Sequence, residues 1–110
     1  MLVNFTDPKM AKSCADDKSM VRAFGSERAK HVKRRLGALR DTAENLADMR
    51  HLPGHTHELH GNWAGYLAID LDGAYRLIFA PNPRVTKADG GLDWAEVKAI
   101  AIVTIENYHD

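Results

Sequence analysis

The chain has 110 residues, 45% hydrophobic and 27% charged, the balance of one folded domain spanning residues 1–110 rather than of a disordered chain. No apolar run approaches the roughly 18 residues of a membrane span, Met1-Leu2-Val3-Asn4-Phe5 lacks the basic head and long apolar stretch of a secretion signal, and Cys14 as the only cysteine excludes an internal disulfide and a thiolate metal cluster. The expectation is a cytoplasmic protein whose zero net charge hides two unlike halves: residues 1–40 carry ten Lys/Arg against four Asp/Glu, and residues 41–110 carry five against eleven, so the basic half suits nucleic acid or an acidic partner.

Leu2 to Phe5 reads as a short first strand, ended by the turn pair Asp7-Pro8. Met10 to Phe24 reads as one helix, stopped by Gly25-Ser26. The next helix is the strongest local signal. Ser26 is placed to cap its N-terminus, and Glu27 complements the positive helix end. Ala29, Val32, Leu36, Leu39, Ala43 and Leu46 recur at spacings of three and four and so form one apolar stripe. Gly37 weakens the middle by ~1 kcal/mol relative to Ala, and Asp41 with Glu44 offers a capping box at which the helix breaks near Arg40 and restarts.

Leu52-Pro53-Gly54 marks the change from helical to strand patterning. His57 to His60 reads as a strand, Gly61-Asn62 as a hairpin turn, Trp63 to Asp70 as a strand, and Tyr75 to Ala80 as the next, after a turn at Leu71-Asp72-Gly73-Ala74. Pro81 to Asp93 is a polar loop. In Val97 to Glu106, Val97, Ala99, Ala101, Val103 and Ile105 alternate with Lys98, Ile100, Ile102 and Thr104. Both sets are largely apolar, which predicts a central strand covered on both faces. The class is α+β: a twisted antiparallel sheet with an N-terminal helix pair packed on one face.

Three segments then carry a resemblance. His57-Glu58-Leu59-His60-Gly61-Asn62 resembles the H-x-L-K-G-D segment of HigB-type toxins, Tyr75-Arg76-Leu77-Ile78-Phe79 their W/Y-R-L-I-F strand, and Glu106-Asn107-Tyr108-His109 their D-Y-H tail. The pieces stand in family order at family-like spacing, and the resemblance runs over nearly the whole chain. It implies the RelE/ParE microbial-ribonuclease-like fold and the toxin half of a type II toxin–antitoxin pair. The implied activity is cleavage of messenger RNA on the ribosome, without a metal or other cofactor: the ribose 2′-OH attacks the adjacent phosphorus and the 5′-oxygen leaves. That chemistry needs a base, an acid and cations for the charge that builds on phosphate.

The resemblance places His57 and His109 on the family's catalytic histidines, Arg76 on its phosphate-holding arginine, and Tyr108 on the tyrosine that stacks on or orients a base. Which histidine is base and which is acid stays open. His60 stands where the family has lysine, a weaker and pH-dependent cation for phosphate. Asn107 stands where it has aspartate and hydrogen-bonds without carrying charge, and Asn62 also replaces an aspartate. Lys33, Arg34 and Arg35, on the basic helix from Arg28 to Arg40, are further candidates for RNA phosphate. The implied partners are a cognate antitoxin, in a hetero-oligomer, and the ribosome with its message; no membrane is involved.

Blander readings stand beside these. His31, His51 and His55 read as surface histidines, and Trp63 and Trp94 as core or sheet-cover residues rather than base-stacking platforms. The run His51, His55, His57, His60 invites a metal, but no cysteine or suitably placed carboxylate completes a tetrahedral set, so none is expected. Two other functions share the implied fold: a ParE-like toxin that poisons DNA gyrase by binding, and a weakly active module that keeps only antitoxin binding. The set His57, Arg76, Tyr108 and His109 favours the nuclease.

Overall fold

A computed structural model describes residues 1–108. Strand β1 (Leu2–Phe5) is followed by helices α1 (Pro8–Ser13), α2 (Asp17–Phe24) and α3 (Ser26–Gly37), then by strands β2 (His57–Glu58), β3 (Leu67–Asp70), β4 (Tyr75–Pro81) and β5 (Ala99–Asn107). The sheet order is β1-β5-β4-β3-β2. Strands β2 to β5 pair antiparallel, as expected, but β1 joins β5 in parallel, with Leu2 opposite Ala99 and Phe5 opposite Ile102. The sheet is therefore mixed. The helices between β1 and the later strands supply the crossover that a parallel neighbour requires.

The helical segment holds three helices where the sequence reading expects two. Asp16 accepts the backbone N–H of Ser19 at 2.7 Å and starts α2 afresh, so the expected helix from Met10 to Phe24 is split. The Ser19 backbone and hydroxyl bonds also hold the Asp16 carboxyl below the usual carboxylate range. Ser26 is the first helical residue of α3 rather than its cap; Gly25 occupies the cap position with φ +83°. The expected restart at Asp41 and Glu44 is also displaced. Residues Ala38–Thr42 form one wide turn in which the Ala43 N–H reaches the Ala38 carbonyl (2.8 Å), and the capping box belongs to Asn45 and Asp48, opening a 3₁₀ segment over Leu46–His51.

The apolar stripe is confirmed residue by residue. Ala29, Val32, Leu36, Leu39, Ala43 and Leu46 are all buried, in one core with Leu67, Ile69, Leu77, Phe79, Ile100, Ile102 and Ile105. Burying each large aliphatic side chain contributes ~1.5–3 kcal/mol. The helices thus cover one face of the sheet. Strand β5 deviates from simple alternation: the register with β4 shifts between Ile78, opposite Thr104, and Phe79, opposite Ile102. Val103 is the extra residue of this bulge, so Ile102 and Ile105, three apart, both face the helices. No helix among the described residues is long and apolar enough to cross a membrane.

Cys14, at the end of α1, is 2% exposed within this core, and burial pushes its thiol up to about 11. The unfolded thiol ionises near its ordinary 9.0, so the unfolded state binds fewer protons between there and about 11, and stability falls across that window as pH rises. Urea midpoints measured from pH 8 to 11 are expected to drop more in the wild type than in Cys14→Ala; equal slopes would contradict this.

Candidate functional site

The sheet face away from the helices carries a second, smaller cluster. Leu59, Ala68 and Ile78 are buried there beneath Trp63, Tyr66 and Tyr108. The strand register fixes which residues share this face. His57 lies opposite Ala68, Ala68 opposite Ile78, and Ile78 opposite Thr104; one pleat further along, Asp70 lies opposite Arg76, and Arg76 opposite Glu106. Arg76 therefore points away from its neighbours Leu77 and Phe79, as alternation predicts. Trp63 meets Tyr66 and Tyr108 edge to face, at ring centroid distances of 5.3 and 6.0 Å. Trp63 and Tyr66 thus build the wall against which Tyr108 rests, while Trp94 belongs to the helix-side core, its indole N–H bonded to Glu58 at 3.2 Å.

Beside the aromatic wall is a hollow of about 470 Å³ lined by His55, His57, Glu58, Leu59, His60 and Tyr108. Two of the expected catalytic residues, His57 and Tyr108, and the expected phosphate contact His60 are thus brought together. The His57 ring stacks on His55 (4.6 Å between centroids, 20° between planes), and its Nδ1 lies 2.7 Å from the His55 carbonyl. A carbonyl only accepts, so Nδ1 carries the proton, and in the neutral ring the lone pair is on Nε2.

Arg76 joins the group through Asp70. Its Nε is 2.9 Å from Asp70 Oδ1, an ion pair off the line of a hydrogen bond, and its Nη1 donates to the carbonyls of Gly73 and Tyr75, each at 2.9 Å. Asp70 Oδ2 lies 3.8 Å from His55 Nδ1, an ion pair when that imidazole is protonated. Asp70 is the residue at this candidate site that the sequence reading missed. The expectation that no carboxylate stands with the histidines is corrected: one donor atom each from His55, His57 and Asp70 lie within 4.8 Å of one another. Asp70 is twelve or more residues from either histidine in sequence, and only the pairing of β2 with β3 brings it near. Glu106, across from Arg76 on β5, is a second carboxylate; it stands in the tail segment, where the resemblance gives it no role.

The other candidates lie elsewhere. Asn107 sits opposite Tyr75, on the helix-facing side of the pleat. Lys33 and Arg34 are exposed on α3, in the layer behind the sheet, and Lys33 is paired with Asp17 at 2.9 Å. Arg35 is half-buried, and its Nε donates to the Asp70 carbonyl at 3.1 Å. His109 lies outside the described residues.

The turn before β2 aims the histidines. Gly54 adopts φ +117°, and its carbonyl accepts the Asp70 N–H at 2.7 Å. A Cβ there would lie 2.6 Å from Ile69 Cγ2 and 2.9 Å from Arg35 Nε. His55 follows at φ +50°. We expect Gly54→Ala to cost roughly 1–3 kcal/mol, through the left-handed backbone and the clash together; an unchanged urea midpoint would contradict the requirement for glycine.

No protein-family model and no curated protein matches the chain. Solved structures do. A YoeB/ParE toxin from Agrobacterium tumefaciens aligns over 99% of this chain and 100% of its own, with TM-score 0.53 and 12% identity. A YoeB–YefM complex from Staphylococcus aureus aligns over 100% and 99%, with TM-score 0.52 and 18% identity, and a YoeB dimer from the same organism over 100% and 98%, with TM-score 0.52 and 17% identity. What these alignments share is architecture, and the chain has the α+β fold of the YoeB/ParE toxins.

Proposed function

We propose that this protein is the toxin of a type II toxin–antitoxin pair, a cytoplasmic endoribonuclease of the HigB-like kind that cuts messenger RNA on the ribosome and halts growth. The observation that carries the reading is the shared hollow of His57 and Tyr108, tied through Asp70 to Arg76, on a toxin-like fold. A solved neighbour is a YoeB–YefM complex, which supports a protein partner, the cognate antitoxin, for this chain too.

In this mechanism the 2′-oxygen–phosphorus bond forms as the phosphorus–5′-oxygen bond breaks, leaving a 2′,3′-cyclic phosphate and a 5′-hydroxyl. His57 suits the base: with Nδ1 donating to the His55 carbonyl, Nε2 is the nitrogen that would take the 2′-OH proton. The proton for the leaving 5′-oxygen then falls to His109. Arg76, with Nε and Nη1 occupied by Asp70 and two carbonyls, offers Nη2 to the phosphate, where a fixed guanidinium stabilises the charge that develops. Tyr108 presents its ring to a base, and His60 adds positive charge at the rim when protonated. Asn107 faces away from the hollow. Lys33 and Arg34 form a separate cationic surface for ribosomal RNA, and Arg35 acts by bracing Asp70.

The test is a translation extract with end-mapped message. Wild type is expected to give discrete cuts, and His57→Ala and Arg76→Ala to lose about 10²–10⁴-fold in rate. Gyrase–DNA cleavage complexes with intact message would replace this reading by the ParE-like one. Neither product would leave only antitoxin binding. Growth arrest that survives joint replacement of His57, Arg76, Tyr108 and His109 would also overturn the enzymatic reading.

A further inference from the structure

We propose that His55, His57 and Asp70 form a site for a first-row transition-metal dication of the zinc class, and that an ion held there withdraws His57 from proton transfer. The second half rests on the nuclease reading above; the first does not.

The donor set is two imidazoles and one carboxylate, which suits zinc, nickel or copper; magnesium and calcium prefer all-oxygen sites. Three protein ligands leave a fourth position for water, the pattern of an open rather than a structural zinc site. The donor atoms lie within 4.8 Å of one another, with His55 Nδ1 and Asp70 Oδ2 at 3.8 Å. Tetrahedral bonds of ~2.0–2.1 Å need donors roughly 3.3 Å apart, so closure asks for a contraction of up to about 1.5 Å. The movement falls to His55, whose side chain is 75% exposed.

The surroundings are already arranged as they are around bound metals. A metal-bound histidine typically donates its second ring N–H to a carbonyl or carboxylate, which fixes its tautomer. His57 Nδ1 meets the His55 carbonyl at 2.7 Å, which turns the Nε2 lone pair into the donor. The backbone of Asp70 is held at both ends, its N–H by the Gly54 carbonyl and its C=O by Arg35. Its Oδ1 stays with Arg76 while Oδ2 faces His55. The guanidinium on the far oxygen opposes a dication, which makes the ion exchangeable and sensitive to chelators. Nε2 of His57 is the same atom that the nuclease reading uses as base, and it cannot hold an ion and accept a proton together.

The experiment uses the full chain without an affinity tag. Zinc is titrated by calorimetry, and cobalt(II) by visible absorption, against wild type, His55→Asn and the control His51→Asn. Asparagine tolerates the left-handed backbone at position 55, which guards the fold. One zinc per chain is expected, with a tetrahedral cobalt spectrum. Binding should weaken about 10–100-fold or more in His55→Asn and hold in His51→Asn. Absence of binding, or equal affinity in His55→Asn, overturns the site.

Message cleavage is then read with and without zinc. Wild type is expected to lose cleavage and regain it with a chelator, while His55→Asn keeps its own metal-free rate. Zinc that binds without slowing wild type overturns the second half of the proposal. A wild type that never cleaves overturns the nuclease reading and leaves the binding result to decide the metal site.

Discussion

Asp70 is the junction on which the site depends. Its backbone N–H holds the Gly54 turn, its carbonyl takes the Arg35 side chain from α3, and its carboxylate meets Arg76 on one oxygen and faces His55 with the other. One residue at the end of β3 thus couples the helical layer, the histidine turn and the arginine strand. A partly buried carboxylate facing a guanidinium is expensive to break, because removing either partner strands the other charge. The same pairing fixes where the guanidinium sits, which is the preorganisation that the proposed nuclease chemistry would use.

The open face exists because the core is one-sided. All three helices and the 3₁₀ segment after α3 pack on a single surface of the sheet, and the six-residue stripe of α3 and its continuation leads that packing. The opposite surface is closed only partly, by Trp63, Tyr66 and Tyr108 over Leu59, Ala68 and Ile78. The Val103 bulge belongs to the same division. It lets Ile100, Ile102 and Ile105 all serve the helical core while Thr104 and Glu106 face the open side, and the extra twist of a bulge bends the strand toward its end. The end of β5 delivers Tyr108 to the hollow, with its N–H bonded to the Ala74 carbonyl at 2.9 Å.

Local periodicity made much of this legible. The α3 stripe follows from spacings of three and four, and the outward aim of Arg76 from the pleat beside Leu77 and Phe79. What escaped is set by side-chain caps and by pairing between distant strands. The break before α2 depends on one bond from Ser19 to Asp16, and the cap at Asn45 won over Asp41 because Asn45 and Asp48 satisfy each other's backbone groups. The bulge at Val103 is invisible to a period of two, since both residue sets on β5 are apolar. The parallel seating of β1 is a choice of partner that its four residues do not encode. Asp70 escaped for the same reason: its neighbours are fixed by the register of β2 and β4, not by spacing along the chain. The three family-like segments located His57, Arg76 and Tyr108, but carried no sign of the carboxylate between them.

The coupling through Asp70 is open to direct measurement with Asp70→Asn, which keeps the shape and removes the charge. In nitrogen-15 NMR spectra of wild type, Arg76 Hε is expected as a slowly exchanging, shifted signal, and His57 as the tautomer protonated on Nδ1. In the variant, Arg76 Hε should move toward the free-arginine position and exchange with water, while the His57 ring resonances shift with it. Spectra in which both residues are unchanged by the substitution would contradict the view that one carboxylate holds the arginine and the histidines in a single site.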